Sequence, residues 1–257
     1  MTLPFIVSLS HCARELPPSI RPSIALCADE IRQSVDEGTE EIFGALPALG
    51  IVKARWSRLL VDLNRGPDQT GPMGVIPEKD YHGRRVYRPG QAPDQETTAE
   101  RVRIYYRPFH ERLKEALGRP GVKGLVDAHS LNGVGPAGAP DAGEKRKDIV
   151  LSNNGNTRGE INPARGPTTC AAETLGMMKG AFERQGFSVS VNHPYSGGFI
   201  ITHYGKLLLT EGKVAVQIEI NQDLFLKAGT GKISTEAVEE VKDRVARALR
   251  EIGGILA

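Results

Sequence analysis

The 257-residue sequence has few cysteines and almost no net charge. Cys12, Cys27 and Cys170 lie far apart and form no CxxC pair, which argues against a disulfide framework and against an all-cysteine zinc site. Lysine and arginine number 33 against 31 aspartates and glutamates, so the net charge is +2. Such a balance gives no general attraction to nucleic acid or to an acidic membrane, and we expect neither partner.

Long hydrophobic runs and nucleotide-binding motifs are also missing. No apolar stretch approaches the roughly 20 residues of a membrane helix, and the opening MTLPFIVSLSHC lacks the basic region of a signal peptide. GxGxxG, P-loop and GxSxG motifs are absent, so nucleotide chemistry and a serine triad have no support. We therefore expect a soluble, reduced, cytoplasmic protein.

Glycine and proline, in contrast, are abundant. The chain has 29 glycines and 17 prolines, against averages of about 7% and 5% of residues. They concentrate in residues 66–95, 132–143 and 155–167, with smaller clusters at 16–22 and 194–198. Two predicted loops, 66–95 and 132–147, are far longer than a typical connection, which is typical of lids, binding loops or disorder. We predict one domain over residues 1–257 that carries these two loop insertions.

Strand and helix patterns alternate along the chain. This alternation predicts an α/β fold, with a sheet covered by helices on both faces and ligands at the carboxyl ends of its strands. Predicted strands cover 5–10, 51–52, 59–61, 124–131, 148–151, 187–191, 199–201 and 214–220. Predicted helices cover 23–37, 96–117, 169–185 and a last segment beginning near Ser234.

Several candidate metal ligands follow predicted strands. His11 and Glu15 come after the first strand and His129 ends another, while Glu219 lies in the apolar run VAVQIEI. Zinc hydrolases need three protein ligands and a nearby carboxylate that takes a proton from water. Asp127 shares a strand face with His129 and could orient it. The alternatives are structural histidines, an exposed loop carboxylate at Glu15, and a paired or protonated carboxyl group at Glu219.

Arginines flank the predicted strand at 59–61, at Arg55, Arg58 and Arg65. They form either a solvated basic edge or a site that recognises a carboxylate, which arginine binds with two hydrogen bonds. Asn64 and Arg65, directly after the apolar residues, favour recognition.

A second polar cluster surrounds a glycine pair. His193 and Tyr195 precede Gly197 and Gly198. The segment is either a decorated turn or a pocket wall in which the glycines let a ligand approach the backbone. We interpret His110, on a predicted helix, as non-catalytic, and Cys12 has no partner pattern that would make it a nucleophile.

Six short segments, in order, resemble N-formylglutamate amidohydrolases. They are SHCARELP (10–17), SRLLVDLNR (57–65), YRPFH (106–110), DAHS (127–130), NHPYSGG (192–198) and QIEIN (217–221). That family in turn resembles zinc carboxypeptidases and the aspartoacylase and succinylglutamate desuccinylase group. The resemblance implies a three-layer α/β/α sandwich around a mixed sheet, with one zinc ion per chain held by two histidines and a glutamate.

The resemblance also implies roles, which we carry over residue by residue. The metal ligands are His11, Glu15 and His129, with Asp127 orienting a ligand. Glu219 acts as general base and then acid, Arg58 polarises the scissile carbonyl or holds a carboxylate, and the substrate-binding residues are Asn64, Arg65, His193, Tyr195, Gly197 and Gly198. The expected substrate is a small anionic N-acyl amino acid, most simply N-formyl-L-glutamate. The alternatives are an amidohydrolase with another N-acyl substrate and a non-catalytic binding protein of this fold.

Overall fold

A computed structural model describes residues 2–228 and 230–256. Within them, six strands form one sheet in the order β2-β1-β3-β6-β4-β5. The strands are β1 (Leu3–Leu9), β2 (Ala48–Lys53), β3 (Gly124–Leu131), β4 (Ile149–Ser152), β5 (Val189–Val191) and β6 (Val214–Asn221). Neighbours run parallel except β4 and β6, which are antiparallel, so the sheet is mixed, as expected.

Helices cover both faces of this sheet. They are α1 (Ala28–Gln33), α2 (Thr39–Phe43), α3 (Gln95–Arg101), α4 (Arg107–Leu117), α5 (Ala172–Arg184), α6 (Phe199–Thr210) and α7 (Thr235–Leu256). A π-helical segment, Val102–Tyr106, joins α3 to α4, and two 3-10 turns cover Arg21–Ser23 and Gln222–Leu224. No described helix is long and apolar enough to cross a membrane.

Alternation along the strands creates two separate apolar layers. Phe5 and Val7 of β1 pack with residues of α2, α5 and α7, whereas Ile6 packs with residues of α4 and α6. Successive side chains of a strand point to opposite faces, so each central strand contributes to both layers. The predicted three-layer α/β/α sandwich is confirmed.

The same alternation directs polar side chains toward one face. In β6, Val216 and Ile218 belong to the layer with α5 and α7, and Ala215 belongs to the layer with α4 and α6. Gln217 and Glu219 therefore lie on the α4/α6 face, beyond Ala215, toward the carboxyl end of the strand. Parallel register places Asp127 beside Gln217 and His129 beside Glu219.

Two short apolar segments and one predicted helix differ from their predictions. The predicted strand at 59–61 is a turn and loop, and 199–201 is the first turn of α6. The predicted helix at 23–37 is reduced to α1, after a 3-10 turn. Short apolar runs fit a buried strand, helix or loop equally well, so tertiary packing decides. Leu59, for example, packs with Ile24 and Val86 in a small core of its own.

The glycine-rich loops are packed structures. Residues 54–94 contain neither helix nor strand, yet Val86 and Tyr87 from this stretch are buried against Ile24. In the second loop, a Cβ on Gly133 would lie 1.8 Å from a carboxylate oxygen of Asp223. Glycine here permits a close contact between the loop and the end of β6.

Candidate metal centre and active site

His11, Asp36 and His129 form a buried group that could hold a metal ion. His129 Nδ1 lies 2.7 Å from Asp36 Oδ2, and His11 Nδ1 lies 3.5 Å from the same oxygen. The two imidazole centroids are 4.9 Å apart. Two ring nitrogens and one carboxylate thus converge at the carboxyl ends of β1 and β3.

Each histidine turns its other ring nitrogen to a buried carboxylate. His11 Nε2 lies 2.7 Å from Asp62 Oδ1, and His129 Nε2 lies 2.9 Å from Asp127 Oδ2. This pairing fixes the ring orientation and leaves each Nδ1 directed toward Asp36, an arrangement typical of metal-binding histidines. Asp127, predicted to orient a ligand, thus lies against His129, and Asp62 takes the equivalent position beside His11.

The buried charged groups around the two histidines shift one another's pKa values. Asp36, Asp62 and Asp127 are all buried, and Glu219 is 7% exposed. Burial opposes ionisation of Asp36, but His11 and His129 outweigh it and lower the pKa of that carboxyl. Burial likewise opposes protonation of His129, while Asp127 and Asp36 raise its pKa well above the ordinary value.

One buried nitrogen without a hydrogen-bond partner supports metal binding by this group. His11 Nδ1 is buried and has no hydrogen-bond partner among the described residues. Buried polar atoms in proteins are nearly always paired, so this nitrogen suits a metal ligand. A zinc ion, which prefers nitrogen and carboxylate donors, suits this set of atoms.

The structure does not bring Glu15 into this group. Glu15 is exposed, and residues 12–17 lack regular structure, so a spacing of four residues from His11 does not place both side chains on one face. Asp36 stands there instead, because its backbone N–H donates to the His11 carbonyl, 3.1 Å away. The sequence signal for Asp36 was slight, an acidic residue in the turn Ser34–Gly38.

Glu219 lies on the wall of the same pocket. Gln217 Nε2 donates to Glu219 Oε1 at 2.8 Å, which fixes one carboxylate oxygen. Burial raises the pKa of Glu219, Asp36 adds to the effect, and His129 opposes it. A carboxyl group with a raised pKa is suited to taking and returning a proton near neutral pH.

Arg58 forms ion pairs with carboxylates of the protein itself. Its Nη2 donates to Asp62 Oδ2 at 2.7 Å, and its Nη1 lies 3.5 Å from Asp36 Oδ1. The guanidinium therefore braces the aspartates around the two histidines, although Arg58 also lines the pocket.

Asn64 links the histidine group to the start of α6. Its Nδ2 lies 3.2 Å from His129 Nε2, and its Oδ1 accepts from Ile200 N–H at 2.8 Å. A Cβ on Gly198 would lie 2.3 Å from Asn64 Nδ2. The absence of a side chain at Gly198 thus leaves space for the Asn64 amide, in addition to the ligand-binding role predicted for Gly198.

The histidine group opens into a pocket of about 320 Å³. Several of the residues predicted to bind substrate line it, among them Arg65, Tyr195, Gly197 and Gly198. Arg65 has no carboxylate within 4 Å among the described residues, and its Nε donates to the Met73 carbonyl at 3.0 Å. His193 does not line this pocket; its side chain is 57% exposed and lies 3.5 Å from Glu144.

Two residues of the continuous helical stretch from α3 to α4 hold the backbone on either side of Asn64. His110 Nε2 lies 3.0 Å from the Leu63 carbonyl, and the Tyr106 hydroxyl donates to the Arg65 carbonyl at 2.8 Å. Tyr106 ends the π-helical segment, a feature common near functional sites. Sequence reasoning assigned neither residue this role; the motif YRPFH was the available signal.

Cys12 is a protonated thiol. Burial, with Glu40 adding to it, raises the pKa of Cys12 to about 12, and its Sγ lies 3.4 Å from the Leu9 carbonyl. A thiol with so high a pKa is a poor nucleophile, in line with the sequence interpretation.

The fold and site together define an α/β protein with a buried His/Asp/His group that could hold a metal ion, beside a carboxylate. The family model for N-formylglutamate amidohydrolase matches residues 3–226. The chain belongs to this family.

Curated relatives and solved structures agree with this assignment. The N-formylglutamate deformylase of Pseudomonas aeruginosa is 28% identical, over 87% of this chain and 82% of its own length. That of Pseudomonas putida is 27% identical over 88% and 82%. The N-formylglutamate amidohydrolase structure from Ralstonia eutropha JMP134 superposes with a TM-score of 0.79 at 20% identity, covering 99% of this chain and 94% of that one. A likeness at this identity shows the fold.

Proposed function

We propose that this protein hydrolyses the amide bond of N-formyl-L-glutamate to formate and glutamate in a zinc-dependent reaction. The observation that carries the proposal is the convergence of His11, Asp36 and His129 beside Glu219 in one pocket. Family membership and the substrate named for the two Pseudomonas relatives support the choice of substrate.

His11 Nδ1, His129 Nδ1 and an oxygen of Asp36 would hold the ion. Zinc bound there would supply Lewis-acid chemistry, lowering the pKa of a water molecule and polarising a carbonyl group. Asp62, Asp127 and Arg58 keep the ligand side chains in place before any ion or substrate arrives, which lowers the cost of assembling the site.

Glu219 would move the proton. It accepts a proton from the water that attacks the formyl carbon and returns it to the nitrogen of the departing glutamate, so that the amide bond breaks with no net change in the carboxyl group. Gln217, bonded to Oε1, leaves Oε2 for this transfer.

Arg65 would bind the substrate's α-carboxylate. Its guanidinium has no acidic partner among the described residues, and it lines the pocket one residue after Asn64, which contacts His129. Only the α-carbon separates the α-carboxylate from the scissile nitrogen. A guanidinium that binds this carboxylate must therefore lie close to the metal ligands. Zinc as the ion, one ion per chain and a cytoplasmic location remain predictions from the sequence.

The test is Glu219→Gln, with Glu111→Gln as the matched control on the exposed surface of α4. We expect Glu219→Gln to keep its metal and lose about 10²- to 10⁴-fold in kcat, and the control to stay at the wild-type rate. Near-normal turnover by Glu219→Gln would refute the role of this residue as base.

A panel of N-acyl amino acids, assayed with zinc and with a chelator, tests the substrate. N-formylglutamate should be hydrolysed fastest, and chelation should abolish turnover. Faster cleavage of another acyl group would favour the related amidohydrolase. Absence of both bound metal and turnover would favour a binding protein of this fold.

A further inference from the structure

Three loops meet at one point on the pocket wall, through Tyr81, Arg146 and Tyr195. Tyr81 comes from the 66–95 loop, Arg146 from the 132–147 loop, and Tyr195 from the segment before Gly197. The two tyrosine hydroxyls are hydrogen-bonded to each other. Arg146 Nη2 lies 3.0 Å from the Tyr81 hydroxyl and 3.2 Å from the Tyr195 hydroxyl.

The guanidinium of Arg146 is buried, and each of its three nitrogens has a hydrogen-bond partner. Its side chain is 1% exposed, and its Nε and Nη2 donate to the two carboxylate oxygens of Asp141, each at 2.7 Å. Nη1 donates to the Asn132 carbonyl at 3.2 Å. Because Asp141 balances its charge, Arg146 holds the hydroxyls and does not face the pocket as a free cation.

A count of hydrogens leaves one donor free. Two hydroxyls carry two hydrogens, and their mutual bond uses one of them. Neither oxygen has an acceptor for the second hydrogen among the residues that the structure describes, while Tyr81 and Tyr195 both line the pocket. Arg146 Nη2 gives one of its two hydrogens to Asp141 and has the other for the hydroxyl pair, which this donation polarises and makes a better donor. The pair therefore keeps one O–H that can donate to a group in the pocket.

We propose that the Tyr81–Tyr195 hydroxyl pair binds the side-chain carboxylate of an acidic N-acyl amino acid, and so selects the amino-acid part of the substrate. The inference rests on the proposed function. Arg65 lies in the segment that contacts His129 through Asn64, so we assign it the nearer α-carboxylate. The tyrosine pair makes no hydrogen bond to His11, Asp36 or His129 in the described residues, as expected of a subsite for the more distant group.

The test compares two substrates in the double variant Tyr81→Phe/Tyr195→Phe. N-formylglutamate carries the side-chain carboxylate, and N-formylnorvaline has an unbranched apolar side chain without an acceptor. We expect kcat/KM for N-formylglutamate to fall at least tenfold more than kcat/KM for N-formylnorvaline, because only the first substrate loses a hydrogen bond to a charged group. The two single variants, which each keep one hydroxyl, should fall between wild type and the double variant.

Tyr105→Phe is the control, since the Tyr105 hydroxyl lies outside this pocket and has no hydrogen bond among the described residues. Equal losses for both substrates would mean that the cluster only ties the loops together, and no loss would mean that it contacts no substrate. Either result overturns the inference while the function stands. Wild-type protein that hydrolyses neither compound overturns the function, and the inference with it.

Discussion

Replacement of Asp36 distinguishes the set of metal ligands that we propose from the set predicted by the sequence. Asp36→Asn keeps the size of the side chain and removes its charge. Asp36 Oδ2 lies 2.7 Å from His129 Nδ1, and its partner oxygen lies 3.5 Å from Arg58. Loss of an outer hydrogen-bonding partner typically weakens metal binding by about 10- to 100-fold. Loss of a ligand charge should cost at least 100-fold, about 3 kcal/mol.

The assay is a zinc titration of metal-free protein in competition with a chromophoric chelator. Glu15→Gln is the matched control, because Glu15 is exposed and should bind zinc as tightly as the wild type. Thermal unfolding of both variants without metal checks that the fold is retained. Weak binding by Glu15→Gln together with wild-type binding by Asp36→Asn would refute our assignment of the third ligand.

Two further predictions concern the support of the site. Gly198→Ala should lower the free energy of unfolding by about 1–3 kcal/mol in denaturant titrations, because its Cβ would lie 2.3 Å from Asn64 Nδ2. Gly176→Ala, in the interior of α5 with nothing within 4 Å, should raise it by about 1 kcal/mol, because alanine favours a helix; equal effects of the two substitutions would contradict this. Burial lowers the pKa of His110 from 6.5 to about 4, so between these values the unfolded chain binds a proton that the folded chain does not. The free energy of unfolding attributable to His110 should therefore fall by about 1.4 kcal/mol per pH unit as pH decreases. The stability gap between wild type and His110→Gln should shrink over that range, and a constant gap would show that His110 is not buried in its neutral form.

The two-residue period of the central strands made much of the site predictable. In β3 and β6, a polar residue at every second position within an apolar run indicated a polar stripe near the carboxyl end of the sheet. The candidates Asp127 and His129 came from this pattern, and Glu219 came from its place as a carboxylate within an apolar run; the roles given to them stay predictions. The sandwich followed from the alternation of strands and helices.

Irregular segments were less predictable, because they have no period. The strand expected at 59–61 packs as a loop in a small core, and His193 faces away from the pocket although its neighbours line it. In both places the local residues allow several conformations, and contacts with distant segments select one.

The sequence alone therefore determined the fold class, the strand faces and two histidines with a carboxylate beside them, since these depend on periodicity and on residue type. Only the tertiary structure decided that Asp36, and not Glu15, lies beside the two histidines. A hydrogen bond from the Asp36 backbone to the His11 carbonyl brings a turn to the end of β1, and no pattern within either segment encodes that contact. The meeting of Tyr81, Arg146 and Tyr195 has the same origin, because three separate loops pack around one buried guanidinium.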